Sequence, residues 1–337
     1  MRIGVTLGDP AGVGPELVVR ALAAERWSDD EGQPSGDEIV VFGDPIVLAD
    51  VAASAGLARV ERSGARVEAV TRIEGVIPGR PTAATGAAQV AYLEAALAAV
   101  TRGEIDALVT APIHKAAAMA AGFQFPGHTE FLAARLGQRR AVMMLAGPRL
   151  RVVPVTTHIA LADVPRALTV DGIAHACAVA IEALASDFGI AHPRVAVCGL
   201  NPHAGEAGHF GDEERRLIRP AIEAVTEGPL ADRISFELTG PHVPDAIFRA
   251  AAAPPIGDGR YDAVVAMYHD QGLIPSKLID FDETVNVTLG LPIVRTSPDH
   301  GVAYDVAGTG RVRDGSFRAA LRLAREHARR RRARGVT

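Results

Sequence analysis

Apolar positions along the chain follow two alternating patterns. Short, nearly continuous apolar runs at 2–7 (RIGVTL), 39–42, 107–110, 141–146, 152–156, 195–198 and 263–267 predict strands. Between them, apolar residues at helical spacing predict helices over 15–25, 47–55, 86–100, 172–187, 212–225 and 317–330. Strand–helix alternation of this kind predicts an α/β fold, a mostly parallel sheet covered by helices on both faces. No repeat period is visible. The acidic, Gly- and Pro-broken stretch 28–37 (SDDEGQPSGD) and the similar 253–260 (APPIGDGR) predict solvated loops.

Length and composition narrow the class. The 337 residues allow two domains at ~150 residues each. Hydrophobic residues make up 48% and charged residues 22%, as in a well-buried globular protein. The formal net charge of -5 lacks the basic excess of a nucleic-acid binder. The arginines at 329–334 sit at the end of a helix whose face Phe317, Leu321, Ala324 and Ala328 is apolar; a core helix with dipole-complementing cations is favoured over a nucleic-acid tail. Uninterrupted apolar runs such as 95–100 fall short of the ~20 residues of a membrane span. The first residues read as a strand rather than a secretory signal, and Cys177 and Cys198 are too few for a disulfide scaffold. The expectation is a cytoplasmic protein working away from membranes.

Chemistry concentrates just past the strands, where open α/β sheets bind ligands. Strand 152–156 runs into Thr157-His158, 195–198 into Gly199-Leu200-Asn201-Pro202-His203, 263–267 into Tyr268-His269-Asp270, and 107–110 into Ala111-Pro112-Ile113-His114-Lys115. One histidine so placed is commonly a hydrogen-bonded structural residue. Three of them, beside Asn, Asp and Gly, also suit a divalent cation with an open coordination position. His158, His203 and His269 are the candidate metal ligands, with Asp270 either orienting one of them or capping the next helix.

Pro126-Gly127-His128-Thr129-Glu130 opens a predicted helix, where backbone N–H groups attract anions, although Thr129 also suits a plain N-cap. Lys277 and Arg295 flank an apolar segment containing Asn286 (VNVTLGLP), and the three together point to a phosphorylated or carboxylated ligand or, in the plainer reading, to surface ion pairing. The turn Gly8-Asp9-Pro10-Ala11-Gly12-Val13-Gly14 follows the first strand without the G-x-G-x-x-G spacing of a Rossmann site. P-loop, G-x-S-x-G and H-E-x-x-H signatures do not occur.

Together these segments are recognisable. GDPAGVGPE from Gly8, TAPIHK from Thr110, GHTEFLA from Gly127 and VTTHIAL from Val155 are followed by CGLNPHAGEAG from Cys198 and MYHDQGLIPSK from Met267. VNVTLGLPIVRTSPDHG from Val285 and AGTG from Ala307 complete the series, and the whole resembles the 4-hydroxythreonine-4-phosphate dehydrogenases, the PdxA family. The resemblance implies an isocitrate/isopropylmalate dehydrogenase-like fold, two α/β/α domains with a cleft between them. The first would be 1–130 plus 305–337, and the second, carrying most metal and substrate residues, 131–304. It further implies a homodimer with the active site at its interface.

The resemblance makes His158, His203 and His269 ligands of one divalent cation (Zn, Mg or Co), and His128, Thr129, Lys277, Asn286 and Arg295 substrate-binding. NAD or NADP would lie against Asp299, His300, Gly301, Gly308 and Gly310. The reaction implied is oxidation of 4-phosphooxy-L-threonine, a small phosphorylated hydroxy-amino acid, with Asp270 and Lys277 as the candidate catalytic proton acceptors. Paralogues acting on D-threonate or D-erythronate 4-phosphate are the alternative; others take aromatic cis-dihydrodiols, which Lys277, Asn286 and Arg295 disfavour. A non-catalytic sensor and a transferase are the readings from other classes. The sequence departs from the family pattern at Ala246 and Val302, where threonine is usual.

Overall fold

The structure is a computed structural model describing residues 1–24, 36–138 and 141–335. In chain order the strands are β1 (Arg2–Thr6), β2 (Glu38–Gly43), β3 (Arg66–Ala69), β4 (Ala107–Thr110), β5 (Val142–Ala146) and β6 (Arg151–Thr156). They continue with β7 (Arg194–Cys198), β8 (Glu237–His242), β9 (Ala263–Tyr268), β10 (Val285–Leu289) and β11 (Val294–Pro298). The chain divides into two compact units, 1–141 with 291–337, and 142–290.

In the first unit the strands lie in the order β3-β2-β1-β4-β11, with parallel pairing throughout. The order in the second is β10-β5-β6-β9-β7-β8. Here β6, β9, β7 and β8 are parallel, whereas β5 runs antiparallel to both β6 and β10. The sheet is therefore mixed. The reason is local: 147–150 is a tight β5–β6 connection closed by the Gly147 N–H on the Leu150 carbonyl (2.9 Å), too short for a parallel crossover.

Each unit has its own apolar core. Phe42, Leu93, Leu97, Leu108, Phe131 and Leu132 are buried together in the first; Val152, Ala196, Cys198, Phe248, Val264 and Ala266 in the second. The helix Ala83–Thr101 is long and apolar enough by composition to cross a membrane, a window the count of uninterrupted runs passed over. Half of that window is buried, and the helix packs on β1, β2 and the helix Lys115–Ala120, as a core helix does. Its start is a reciprocal capping box between Thr82 and Thr85.

The predicted helix over 212–225 is instead a π-helical turn, Glu214–Ile218, followed by the α-helix Arg219–Thr226. Of the loop expected at 28–37, all but Gly36 and Asp37 lies outside the described residues, as does the end of the first helix at residue 25. The C-terminal arginines have internal partners. Arg325 and Arg329 pair with Asp37, the latter at 2.9 Å, and Arg331 donates to the Leu291 carbonyl at 3.1 Å.

Candidate functional site

Two groups of polar residues gather at strand ends, one in each unit. In the second unit, β9 lies between β6 and β7, all three parallel, so 158, 203 and 269 each follow the carboxyl end of a neighbouring strand. Thr156 pairs in register with Tyr268, which sets His158 beside His269, with ring centroids 5.8 Å apart. The Thr156 hydroxyl donates to the Met267 carbonyl (2.8 Å) and fixes the two strand ends. His269 opens the helix His269–Asp280, and its Nδ1 lies 2.6 Å from Asp270 Oδ1, leaving Nε2 as the free nitrogen. That is how a carboxylate orients a metal-ligating imidazole. The open cavity here has a volume of about 380 Å³ and is lined by Thr157, His158, Leu161, Tyr268, His269 and Asp270.

Helix His269–Asp280 is anchored at both ends. Gln271 accepts from the Met267 N–H (2.6 Å) and donates to the Gly199 carbonyl (2.8 Å), tying the β9 end to the β7 end. Gly272 lets the helix approach β6, since a Cβ there would sit 2.3 Å from Val152 Cγ1. At the other end buried Asp280 accepts from the Arg149 Nε (2.7 Å) and from the Arg149 and Leu150 backbone N–H groups. Lys277 rides on this anchored helix, two turns from Asp270. Asn286, on β10, donates to Met143 Sδ at 3.5 Å, and its Oδ1 is enclosed without a hydrogen-bond partner.

His203 sits on a different kind of scaffold. Residues 203–207 all have positive φ, four of them non-glycine, and His158 also adopts φ 44°. Each such residue costs about 1–2 kcal/mol and persists only where its surroundings over-determine it. Glu214 supplies that restraint. Its buried carboxylate accepts from the Leu200 and Asn201 N–H groups (both 2.8 Å) and from Asn201 Nδ2 (3.0 Å). The exposed His203 ring meets Phe210 edge-on at 6.2 Å and its Nδ1 lies 3.2 Å from Glu206. The structure thus brings His158 and His269 together without His203, and no group of three metal-holding side chains is assembled among the described residues. In donor chemistry the set still suits a divalent cation: paired imidazoles, one with its second nitrogen engaged, and a third following the next strand.

The first unit holds a cationic cluster. Arg295, on β11, is 3% exposed and donates to the Thr110 hydroxyl at the end of β4 (2.6 Å). Burial lowers its pKa to about 10, with Glu130 opposing the shift. His128 opens the helix His128–Arg135, and its Nε2 is enclosed without a hydrogen-bond partner. Burial, then the charges of Arg295 and Lys115, hold this imidazole well below its ordinary pKa, so it is neutral at pH 7. Thr129 follows in the first turn. Lys115 completes the cluster. It stands in the 111–115 strand-end segment, yet only its proximity to His128 marks it as a site residue.

Gly308 and Gly310 line a second cavity of the first unit, about 520 Å³ in volume, together with Pro10, Gly12, Glu16 and Asp50. Asp299, His300 and Gly301 are not among its lining residues. The Asp299 N–H is held by the Ser316 hydroxyl (3.0 Å), and His300 Nδ1 lies 3.1 Å from the Gly301 carbonyl.

Comparison with known proteins finds relatives over nearly the whole chain. The family model described as "Pyridoxal phosphate biosynthetic protein PdxA" matches residues 36–324. A 4-hydroxythreonine-4-phosphate dehydrogenase from Desulfosudis oleivorans is 48% identical, over 97% of this chain and 96% of that protein. The crystal structure of 4-hydroxythreonine-4-phosphate dehydrogenase from Klebsiella pneumoniae superposes with a TM-score of 0.81 at 37% identity, covering 97% of this chain and 98% of that one. A terephthalate 1,2-cis-dihydrodiol dehydrogenase from Burkholderia xenovorans superposes less closely, with a TM-score of 0.64 at 31% identity, covering 96% and 97%. Fold and comparisons define the class, an α/β oxidoreductase. Within it, the chain belongs to the PdxA family, the 4-hydroxythreonine-4-phosphate dehydrogenases of pyridoxal phosphate biosynthesis.

Proposed function

We propose that the chain oxidises the secondary alcohol of 4-phosphooxy-L-threonine with NAD⁺ or NADP⁺, aided by one divalent cation (Zn²⁺, Mg²⁺ or Co²⁺). The product, 2-amino-3-oxo-4-phosphooxybutanoate, is a β-keto acid and decarboxylates to 3-amino-2-oxopropyl phosphate. The observation that carries this reading is the consecutive order β6-β9-β7, which follows three neighbouring strands with His158, His269 and His203. When bound, the cation supplies Lewis acidity toward a substrate hydroxyl and the nicotinamide accepts hydride.

The chain's own residues do the holding. Asp270 fixes the His269 ring so that Nε2 faces outward from the carboxylate, and Asp270 or Lys277 takes the hydroxyl proton. Arg295 and the neutral imidazole of His128, with Thr129 at the helix start, suit a phosphate or carboxylate; Lys277 and Asn286 are the remaining anchors. Such anchors turn remote binding energy into placement of the reacting C–H bond. Asp299, His300, Gly301, Gly308 and Gly310 hold the nucleotide in this reading. A cytoplasmic homodimer belongs to it as well.

The test is a side-by-side assay of nucleotide reduction with 4-phosphooxy-L-threonine, D-threonate 4-phosphate and D-erythronate 4-phosphate, each with Zn²⁺, Mg²⁺ or Co²⁺. Turnover confined to the first compound is expected. His203→Ala should lose both bound metal and turnover while keeping its fold, as far-ultraviolet dichroism would show. Full activity in that variant refutes the three-histidine assignment.

A further inference from the structure

We propose that Tyr304 is a positioning residue. Its hydroxyl clasps the glycine-rich segment 302–310 to the buried carboxylate of Asp9, and so preforms the wall against which the nicotinamide nucleotide binds. This rests on the reading above that Gly308 and Gly310 face that nucleotide.

The clasp is short and enclosed. The Tyr304 hydroxyl donates to Asp9 Oδ2 at 2.6 Å, and Asp9 is fully buried. The other Asp9 oxygen accepts from the Ala11 N–H at 2.9 Å, so the carboxylate is held by the very turn that follows β1. Burial, then the hydrogen bond to Asp9, raises the Tyr304 pKa and keeps the phenol a donor. The imidazole of His114 packs edge-on against the ring, centroids 5.3 Å apart.

The rest of the segment is tied to the same turn and the helix after it. The Val302 carbonyl accepts from the Val13 N–H (3.0 Å). The Gly310 carbonyl accepts from Arg20 (3.0 Å), and Arg20 in turn pairs with Glu16 at 2.9 Å. Gly79 permits the approach of the neighbouring loop, because a Cβ there would lie 2.7 Å from the Tyr304 carbonyl oxygen. Between two of these ties Ala303 is forced to φ 42°, a conformation a non-glycine residue holds only under restraint. Val302 offers no hydroxyl, and Tyr304 supplies the side-chain hydrogen bond from this segment to the turn after β1. The 520 Å³ cavity opens on Gly308–Gly310 and on Pro10 and Gly12, the two strips of backbone that the clasp joins. A prefolded wall spares the ordering cost that a loose loop would add to binding.

The experiment compares wild type with Tyr304→Phe, which keeps the ring against His114 and removes only the hydroxyl. Calorimetric titration with NAD⁺ and NADP⁺, steady-state kinetics with 4-phosphooxy-L-threonine, and amide hydrogen exchange over 302–310 are measured. We expect the dissociation constant and KM of the accepted nucleotide to rise about tenfold, kcat at saturation to stay within about twofold, and exchange of 302–310 to quicken. Arg20→Met releases the tie at Gly310 but also removes a side chain that lines the cavity. If Tyr304→Phe fails to fold, quickened exchange over 302–310 together with the same split in Arg20→Met supports the clasp, and lost affinity with unchanged exchange overturns it. Unchanged nucleotide affinity in a variant whose wild type binds overturns the clasp alone, as does a fall in kcat at unchanged affinity. A wild type that binds neither nucleotide overturns the functional reading beneath it.

Discussion

The neutral imidazole of His128 is the residue on which the first unit's anion chemistry turns. Burial, Arg295 and Lys115 all oppose its protonation, with Glu130 the nearby carboxylate on the same helix. In the unfolded chain it titrates near its ordinary value of about 6.5. Because the folded pKa is depressed, the unfolded chain binds the proton first as pH falls. Stability from this group is therefore complete above about pH 6.5 and is lost progressively as pH drops toward the folded value. His128→Gln should remove that slope. Between pH 7 and 5 the melting temperature of wild type should fall more steeply than that of the variant; parallel curves would show that His128 protonates freely in the fold. His128 stood out in the sequence because it opens a predicted helix in Pro126-Gly127-His128-Thr129-Glu130, where backbone N–H groups attract anions. Glu214 and Tyr304 did not, since each acts on backbone or side chains far from it along the chain, and no local pattern signals such a bond.

At the level of elements, the alternation of runs located β1, β2, β4, β6, β7 and β9 closely, and β9 differs from its expected span only by Tyr268. Three of the four strands it passed over have physical reasons. Arg66–Ala69 is a short edge strand with exposed charged residues, and Glu237–His242 contains a glycine and a proline. Val294–Pro298 carries the buried Arg295 and a proline, a composition that reads as a loop. The π-helical turn at Glu214–Ile218 belongs to the same set, because it brings one carboxylate under the 199–208 loop. Glu214→Gln tests its role. An amide would oppose one of its NH₂ protons to the donors that now meet a carboxylate, at a cost of about 1–3 kcal/mol. Urea unfolding should show that loss, and hydrogen exchange should quicken over 199–208 more than elsewhere in the unit. A variant as stable as wild type would mean that the left-handed run holds itself.

At the scale of the whole molecule, Met1 and the helix Gly315–Ala333 are drawn together on one carboxylate. Asp37 receives the Met1 ammonium at 2.8 Å, Arg329 at 2.9 Å and Arg325 as well. Burial would raise its pKa, but the N-terminal ammonium and Arg325 outweigh that and lower it. Arg325 and Arg329 are thereby committed to the fold, in keeping with the core helix that the apolar face Phe317, Leu321, Ala324 and Ala328 favoured over a tail. The helix His269–Asp280 and its C-cap Phe281 present the opposite case, large apolar side chains turned to solvent. Ile274, Leu278 and Phe281 follow one another at i, i+4 and i+7, exposed by 58%, 82% and 61%. Spacing of that kind makes a single stripe on a helix, and contiguous exposed stripes of large apolar residues mark association surfaces. A second copy of this chain is the occupant the proposed homodimer requires. An isologous contact would lay the stripe against the same stripe of the partner. Leu278→Lys puts a charge in the middle of the stripe at a position open to solvent in the single chain, so the fold should tolerate it. Sedimentation equilibrium at micromolar concentration should then give twice the chain mass for wild type and one chain mass for the variant, with melting and far-ultraviolet dichroism showing both folded. A dimeric Leu278→Lys protein would move the interface to another face, and a monomeric wild type would remove the dimer from the functional reading.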